Sequence, residues 1–188
     1  MDETCQLIRD EFEERAKKSI EHLRDTLSQI RTGRASPALV ESIRVEAYGT
    51  STPLNQLAHV SVPEARQLLI KPFDPSILRD IERAILTSDL GLTPNSDGKT
   101  LRLSLPPLSE EQRKKIAARV KDFAEQARVA LRNERRDANK QGEQLYRDGQ
   151  ITEDHHRQLR DAIDAAIKKL EAEIDEVLER KTKEVMTD

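Results

Sequence analysis

The chain has 188 residues, 36 % of them hydrophobic and 36 % charged, with aromatics at 3 % and no tryptophan. A formal net charge of −3 and this polarity argue against a thick globular core and for long amphipathic helices sharing a thin apolar seam. No apolar run approaches a membrane span, the acidic start MDETCQLIRDEFEE lacks a signal-peptide core, and Cys5, the only cysteine, excludes an intrachain disulfide, so a reducing, cytoplasmic setting is expected.

Residues 3–30 read as the first helix. Ile8, Phe12, Ala16, Ile20, Leu23, Leu27 and Ile30 recur at steps of three and four, with no Gly or Pro among them. From residue 31 the texture changes: all eight prolines and four of the six glycines fall between there and residue 107. Four β-branched or aliphatic runs are strand candidates, SIRVEAY (42–48), AHVSV (58–62), RQLLIKP (66–72) and TLRLSL (100–105). Between them a helix starting at Asp74-Pro75 or Ser76 carries Ile77, Ile81, Ala84, Ile85 and Leu86, with its end expected near Gly91.

Past Pro106-Pro107 the helical pattern returns. Ser109 with Gln112 three residues on predicts a capping box, and the second long helix runs from there to about residue 147. Its expected seam is Ile116, Val120, Phe123, Ala127 and Ala130. The RDGQ stretch at 147–150 breaks it, and Thr152 starts a third helix with the seam Leu159, Ile163, Ala166, Leu170, Ile174 and Val177, continuing to Val185. At about 1.5 Å per residue the three helices are roughly 40, 60 and 50 Å long, and none can leave its apolar stripe in water.

The implied fold is α+β: an antiparallel three-helix bundle (1–30 and 106–188) with a small β/α/β domain (31–105) inserted between its first two helices. Two chain crossings join them. Arg31, Thr32 and Gly33 on one, and Leu105, Pro106 and Pro107 on the other, predict a limited hinge, because Gly loosens the backbone and Pro stiffens it. Glu134 falls on the seam side of the second helix and Gly142 lies in its interior. A carboxylate there must snorkel or pair, and the Gly costs about 1 kcal/mol against Ala, so the far end is expected to be looser.

Charge is separated by face. Residues 128–140 carry five positive and two negative side chains, whereas 152–188 carry seven positive and eleven negative. On a helical projection Arg128, Arg132, Arg135 and Asn139 share about 60° of arc, turned away from the seam. Two readings stay open for this stripe. It is a solvated face in which Glu125, Glu134 and Asp137 make pairs within the helix, or it binds a polyanion, RNA above all, because planar guanidinium forks suit phosphate. The scarcity of aromatics argues against a stacking platform for single strands and for recognition of phosphate and shape.

Other candidates fail on spacing. The GKT at 98–100 imitates the end of a phosphate-binding loop, but Thr93 stands where the first glycine is required and a strand follows, so a turn is expected. His155 and His156 are adjacent and point about 100° apart on a helix, which is a poor metal pair. No nucleophile has a base beside it. Neither catalytic residues nor a metal site are expected.

Four segments, IRTGRASPALVE (30–41), SDLGLTPNSDG (88–98), LPPLSEEQRKK (105–115) and EQARVALRNERRDANK (125–140), closely resemble the bacterial ribosome recycling factor family. The resemblance runs the length of the chain. It implies an L-shaped two-domain monomer that binds the post-termination ribosome and, with elongation factor G, promotes dissociation into subunits. It implies further that the bundle lies on large-subunit ribosomal RNA, with Arg132, Arg135 and Arg136 matching the family's RNA contacts and Arg128 and Asn139 on the same face. Arg31 and Arg34 match the RTGRASP element at the domain junction, with hinge or RNA-facing roles. The inserted domain faces elongation factor G, and GTP is used by that partner, so the chain itself needs no cofactor. A charged coiled-coil scaffold is the rival reading, with an enzyme behind it.

Overall fold

The computed structural model describes residues 2–187. Its first element, α1 (Glu3–Ser28), buries Cys5, Ile8, Phe12, Ala16, Ile20, Leu23 and Leu27 in one stripe. Asp2 caps it: its Oδ1 accepts from the Cys5 N–H at 2.9 Å, which occupies one of the open donors of the first turn.

The middle of the chain begins with the single turn α2 (Ala38–Glu41) and the hairpin β1 (Arg44–Ala47) and β2 (Thr50–Pro53). Tyr48 and Gly49 connect the two strands at φ of 53° and 74°, as a two-residue turn matched to strand twist requires. Then β3 (Ala58–Glu64) and β4 (Gln67–Pro72) form a second hairpin, bulged between Ser61 and Glu64. A 3₁₀ turn at Pro75–Ile77 leads into α3 (Leu78–Leu86), followed by β5 (Asn95–Ser96) and β6 (Leu101–Ser104). The four-stranded sheet is antiparallel throughout, in the order β3-β4-β6-β5. Leu68, Ile70, Leu101 and Leu103 from its centre and Ile81 and Ile85 from α3 are all fully buried in one core.

One sequence expectation is corrected here, and three short elements were not expected. The α3 helix stops at Leu86 rather than near Gly91, because the Thr87 Oγ1 donates to the Arg83 carbonyl at 3.0 Å and the Ser88 Oγ to that of Ile85. The short elements α2, β2 and β5 carry too few apolar residues to have shown a period.

The long helices α4 (Glu110–Arg147) and α5 (Glu153–Met186) follow. The capping box is formed: Ser109 Oγ accepts from the Gln112 N–H at 3.2 Å, and Gln112 Oε1 accepts from the Ser109 N–H at 2.9 Å. Between the helices Gly149 sits at φ 69°, with Gln150 N–H donating to the Leu145 carbonyl and Gly149 N–H to that of Tyr146. This Schellman closure turns the chain sharply back on itself. Thr152 Oγ1 then accepts from the His155 N–H and starts α5.

The seams differ from expectation in detail. On α4 the buried residues are Val120, Ala124, Ala127, Leu131, Ala138 and Gly142; Ile116, Phe123 and Ala130 are only partly covered. Val120 and Ala127 are as expected, but Phe123 and Ala130 stand one position before the buried Ala124 and Leu131, because the bulky Phe123 outweighed the alanine beside it. Small side chains instead line the centre of the stripe. On α5 Ile167 is buried where Ala166 was expected.

The expected looseness near Gly142 is also corrected. A Cβ built there would stand 2.8 Å from Cδ2 of Leu159, which is fully buried, so the glycine lets α4 and α5 approach closely. Glu134 is half-buried and pairs across to Arg15 of α1 at 3.7 Å. With Arg24 bonded to Glu173 and the Cys5 thiol facing the His155 carbonyl, α1 runs parallel to α5, and α4 opposes both.

The chain divides into two compact units. One comprises residues 2–27 with 117–183, and the other residues 28–116 with 184–187. The crossings predicted as a hinge are tied together within the second unit. Arg31 donates to the Pro106 carbonyl at 3.0 Å, and the buried Thr32 donates its hydroxyl to Glu184 at 3.0 Å. Gly33 at φ 86° lies against Leu108, and the Leu105 N–H donates to the Arg66 carbonyl. The inserted domain was expected at 31–105; the second unit extends past both of those bounds and takes in the first turns of α4.

Candidate nucleic-acid interface

The basic stripe occupies consecutive turns of α4. The half-covered Arg128 is held by Asp175 of α5, with Glu125 at 3.6 Å; both carboxylates keep the guanidinium charged, with Asp175 the larger influence. Arg132 bonds Glu125 at 2.7 Å and holds that carboxyl below its ordinary range. Arg135 reaches Asp164 of α5 at 2.8 Å. Arg136 donates to Asn133 Oδ1 at 3.2 Å. Glu125 therefore pairs within the helix as the solvated-face reading expected. Glu134 turns to α1 instead, and no ion pair involves Asp137 among the described residues.

These pairs are exposed, and exposed pairs contribute at most about 1 kcal/mol each. They orient the guanidinium groups without consuming them, so exchanging a carboxylate partner for a phosphate costs little.

Arg132, Arg135, Arg136, Asn139 and Lys140 line one open groove of about 560 Å³, with Glu143 at its end. Four of the expected side chains and their neighbour Lys140 thus line one groove, while Arg128 sits a turn further back, outside it. Arg31 and Arg34 belong to the second compact unit; Arg34 is exposed, and Arg31 Nε is buried with no partner.

A second groove of about 470 Å³ shares Asn139 and Glu143 with the first and adds Tyr146, Arg147, His156 and Arg160. The rings of Tyr146 and His156 stack with centroids 5.3 Å apart and planes 8° from parallel. Sequence reasoning missed this groove. Its only trace was Gly142 one turn before Tyr146, a spacing that means nothing until the packing of α5 is known.

The GKT stretch and Cys5 have local geometry of their own. Asp97 accepts from the Lys99 and Thr100 N–H groups at 2.9 and 2.6 Å and from the Thr100 hydroxyl at 2.8 Å. The GKT stretch is therefore a turn closed by its own aspartate, which holds the Asp97 carboxyl down to about 2. Burial pushes the Cys5 thiol up to about 11, which disfavours the nucleophilic thiolate. Among the described residues no three His, Cys, Asp or Glu side chains gather as metal ligands, and no helix is long and apolar enough to cross a membrane.

Fold and face together define a two-unit α+β protein that carries a charged face on one long helix. A family model described as ribosome recycling factor matches residues 23–186. A ribosome-recycling factor of Xanthomonas campestris pv. campestris (strain B100) is 49 % identical over 180 residues, 96 % of this chain and 97 % of the relative. One of Desulfosudis oleivorans is 46 % identical over 181 residues, 96 % of this chain and 98 % of its own. The chain belongs to the ribosome recycling factor family.

Solved structures agree. A solution structure of the ribosome recycling factor superposes with a TM-score of 0.82 at 37 % identity, covering 100 % of both chains. A second neighbour, at a TM-score of 0.69, 37 % identity and coverage of 97 % and 98 %, is the Thermus thermophilus factor placed with Escherichia coli elongation factor G on the Escherichia coli post-termination complex.

Proposed function

We propose that this protein binds the post-termination ribosome and, with elongation factor G and GTP, drives its separation into subunits and release from messenger RNA. The observation that carries this reading is the likeness over the whole chain, both units included, to a factor placed beside elongation factor G on that complex. Nucleotide hydrolysis belongs to the partner. The chain supplies contacts and stiffness and catalyses nothing itself, acting as a cytoplasmic monomer.

The physics of the face supports the role. Arg132, Arg135 and Arg136, with Lys140 beside them, present a run of cations on a rigid helix, which suits the sugar-phosphate surface of large-subunit ribosomal RNA. Arg128 and Asn139 extend that face, and Arg31 and Arg34 offer cations on the second unit. The second unit receives the push of elongation factor G, and the bundle passes it on as a lever. Hinge motion around Arg31, Thr32, Gly33, Leu105, Pro106 and Pro107 is part of this account.

Subunit splitting tests it directly. An engineered crosslink locking the two units together should abolish splitting by elongation factor G and GTP while leaving ribosome binding intact. Undiminished splitting would remove hinge motion from the mechanism.

A further inference from the structure

The second groove has a construction that phosphate binding alone does not call for. Gly142 lets α4 and α5 close up, and His156 lies beside it, 3.5 Å from where a Cβ would stand. Tyr146, one turn on from Gly142, stacks on that imidazole with one face and remains 42 % exposed. The chain has two tyrosines, and this one is spent on an open aromatic surface at the rim of a groove. Asn139 also lines the groove, and its Oδ1 is buried and accepts no hydrogen bond. A buried acceptor without a donor is costly, so a ligand that supplies one is favoured. Across from it Arg160 has no carboxylate partner among the described residues, while Arg147 is paired with Glu143.

We propose that this groove seats one unstacked nucleotide of an RNA partner. The base stacks on the free face of Tyr146, extending the Tyr146–His156 pair into a stack of three rings. Its phosphate meets Arg160, with Arg147 alongside. A ribose 2′-hydroxyl or an exocyclic amino group donates to Asn139 Oδ1 once that amide turns into the groove. Because Asn139 and Glu143 also line the first groove, a strand whose backbone follows Arg132, Arg135 and Arg136 reaches this seat without a break. Aromatic stacking and 2′-hydroxyl contacts are how proteins read unpaired RNA, as opposed to the phosphate recognition assigned to the first groove. The proposal rests on the RNA-binding reading and adds to it a preference for an extruded nucleotide.

The test uses the full chain and two short RNA hairpins, identical except that one carries a single bulged 2-aminopurine. The wild-type protein should bind the bulged hairpin about tenfold more tightly and quench its fluorescence. Tyr146→Phe should keep both effects, since the ring alone is used. Tyr146→Leu, which retains apolar packing, and Arg160→Ala, at an exposed position, should bring the bulged hairpin down to the affinity of the paired one. Equal wild-type affinity for the two hairpins, or a preference that survives Tyr146→Leu, overturns the proposal. In those cases, paired-hairpin binding that weakens with salt and with Arg132→Ala plus Arg135→Ala leaves the RNA-binding reading standing. Failure to bind either hairpin removes both.

Discussion

Gly142 shows how one residue changes meaning once its neighbours are known. Helix propensity alone makes it a defect of about 1 kcal/mol. Packing makes it the point at which α4 and α5 touch, since a methyl group there would meet the enclosed Leu159 at 2.8 Å. Gly142→Ala should therefore lose more through overpacking, about 1–3 kcal/mol, than it gains in propensity. A net loss of about 1 kcal/mol corresponds to a fall in Tm of about 2–4 °C by calorimetry, and a rise would show that the helices have room to spare. Glu134 teaches a related lesson. Its place on the seam side was legible from spacing, but its partner Arg15 was not, because the helix facing it is distant in sequence.

Elements with local rules were the legible ones. The Ser109–Gln112 capping box and the Gly149 turn need only a few consecutive residues, and both formed as the sequence implies. The α4 seam needed more, since the rotation of a helix with many alanines is decided by what it packs against. The hairpin strand β2 was invisible because its TSTP sequence has no alternation. The Asp97 turn carries a pH signature of its own. Its carboxyl is held down to about 2 from an ordinary 3.8, chiefly by the backbone N–H groups of Thr100 and Lys99. A depressed carboxyl stabilises the fold fully above pH 3.8, and that contribution is lost as the pH falls through about 2. Carbon-detected NMR titration should show this residue among the last aspartates to protonate, and Asp97→Asn should flatten the acid limb of stability; an ordinary midpoint would mean the turn is open in solution.

At the scale of the whole molecule, the architecture was readable because the proline- and glycine-rich middle interrupts two stretches of helical period. The interface was readable only in part. The clustering of Arg132, Arg135 and Arg136 follows from spacing on one helix, whereas the bonding of Arg128 and Arg135 to α5 carboxylates and the Tyr146–His156 groove depend on how two helices meet. The second unit also reaches beyond the composition boundary, because Arg31 bonds Pro106, Thr32 bonds Glu184 and Gly33 lies against Leu108, all three partners outside 31–105. The central claim is that the guanidinium face of α4 grips RNA phosphates on the ribosome. It is tested most directly by co-sedimentation with empty ribosomes across a salt series, comparing the wild type with Arg132→Ala plus Arg135→Ala. The wild type should lose affinity steeply as salt rises, and the double variant should bind more weakly with a log–log slope shallower by about 2, one counterion step for each lost contact. Equal affinity and equal slope for the two proteins would contradict the account.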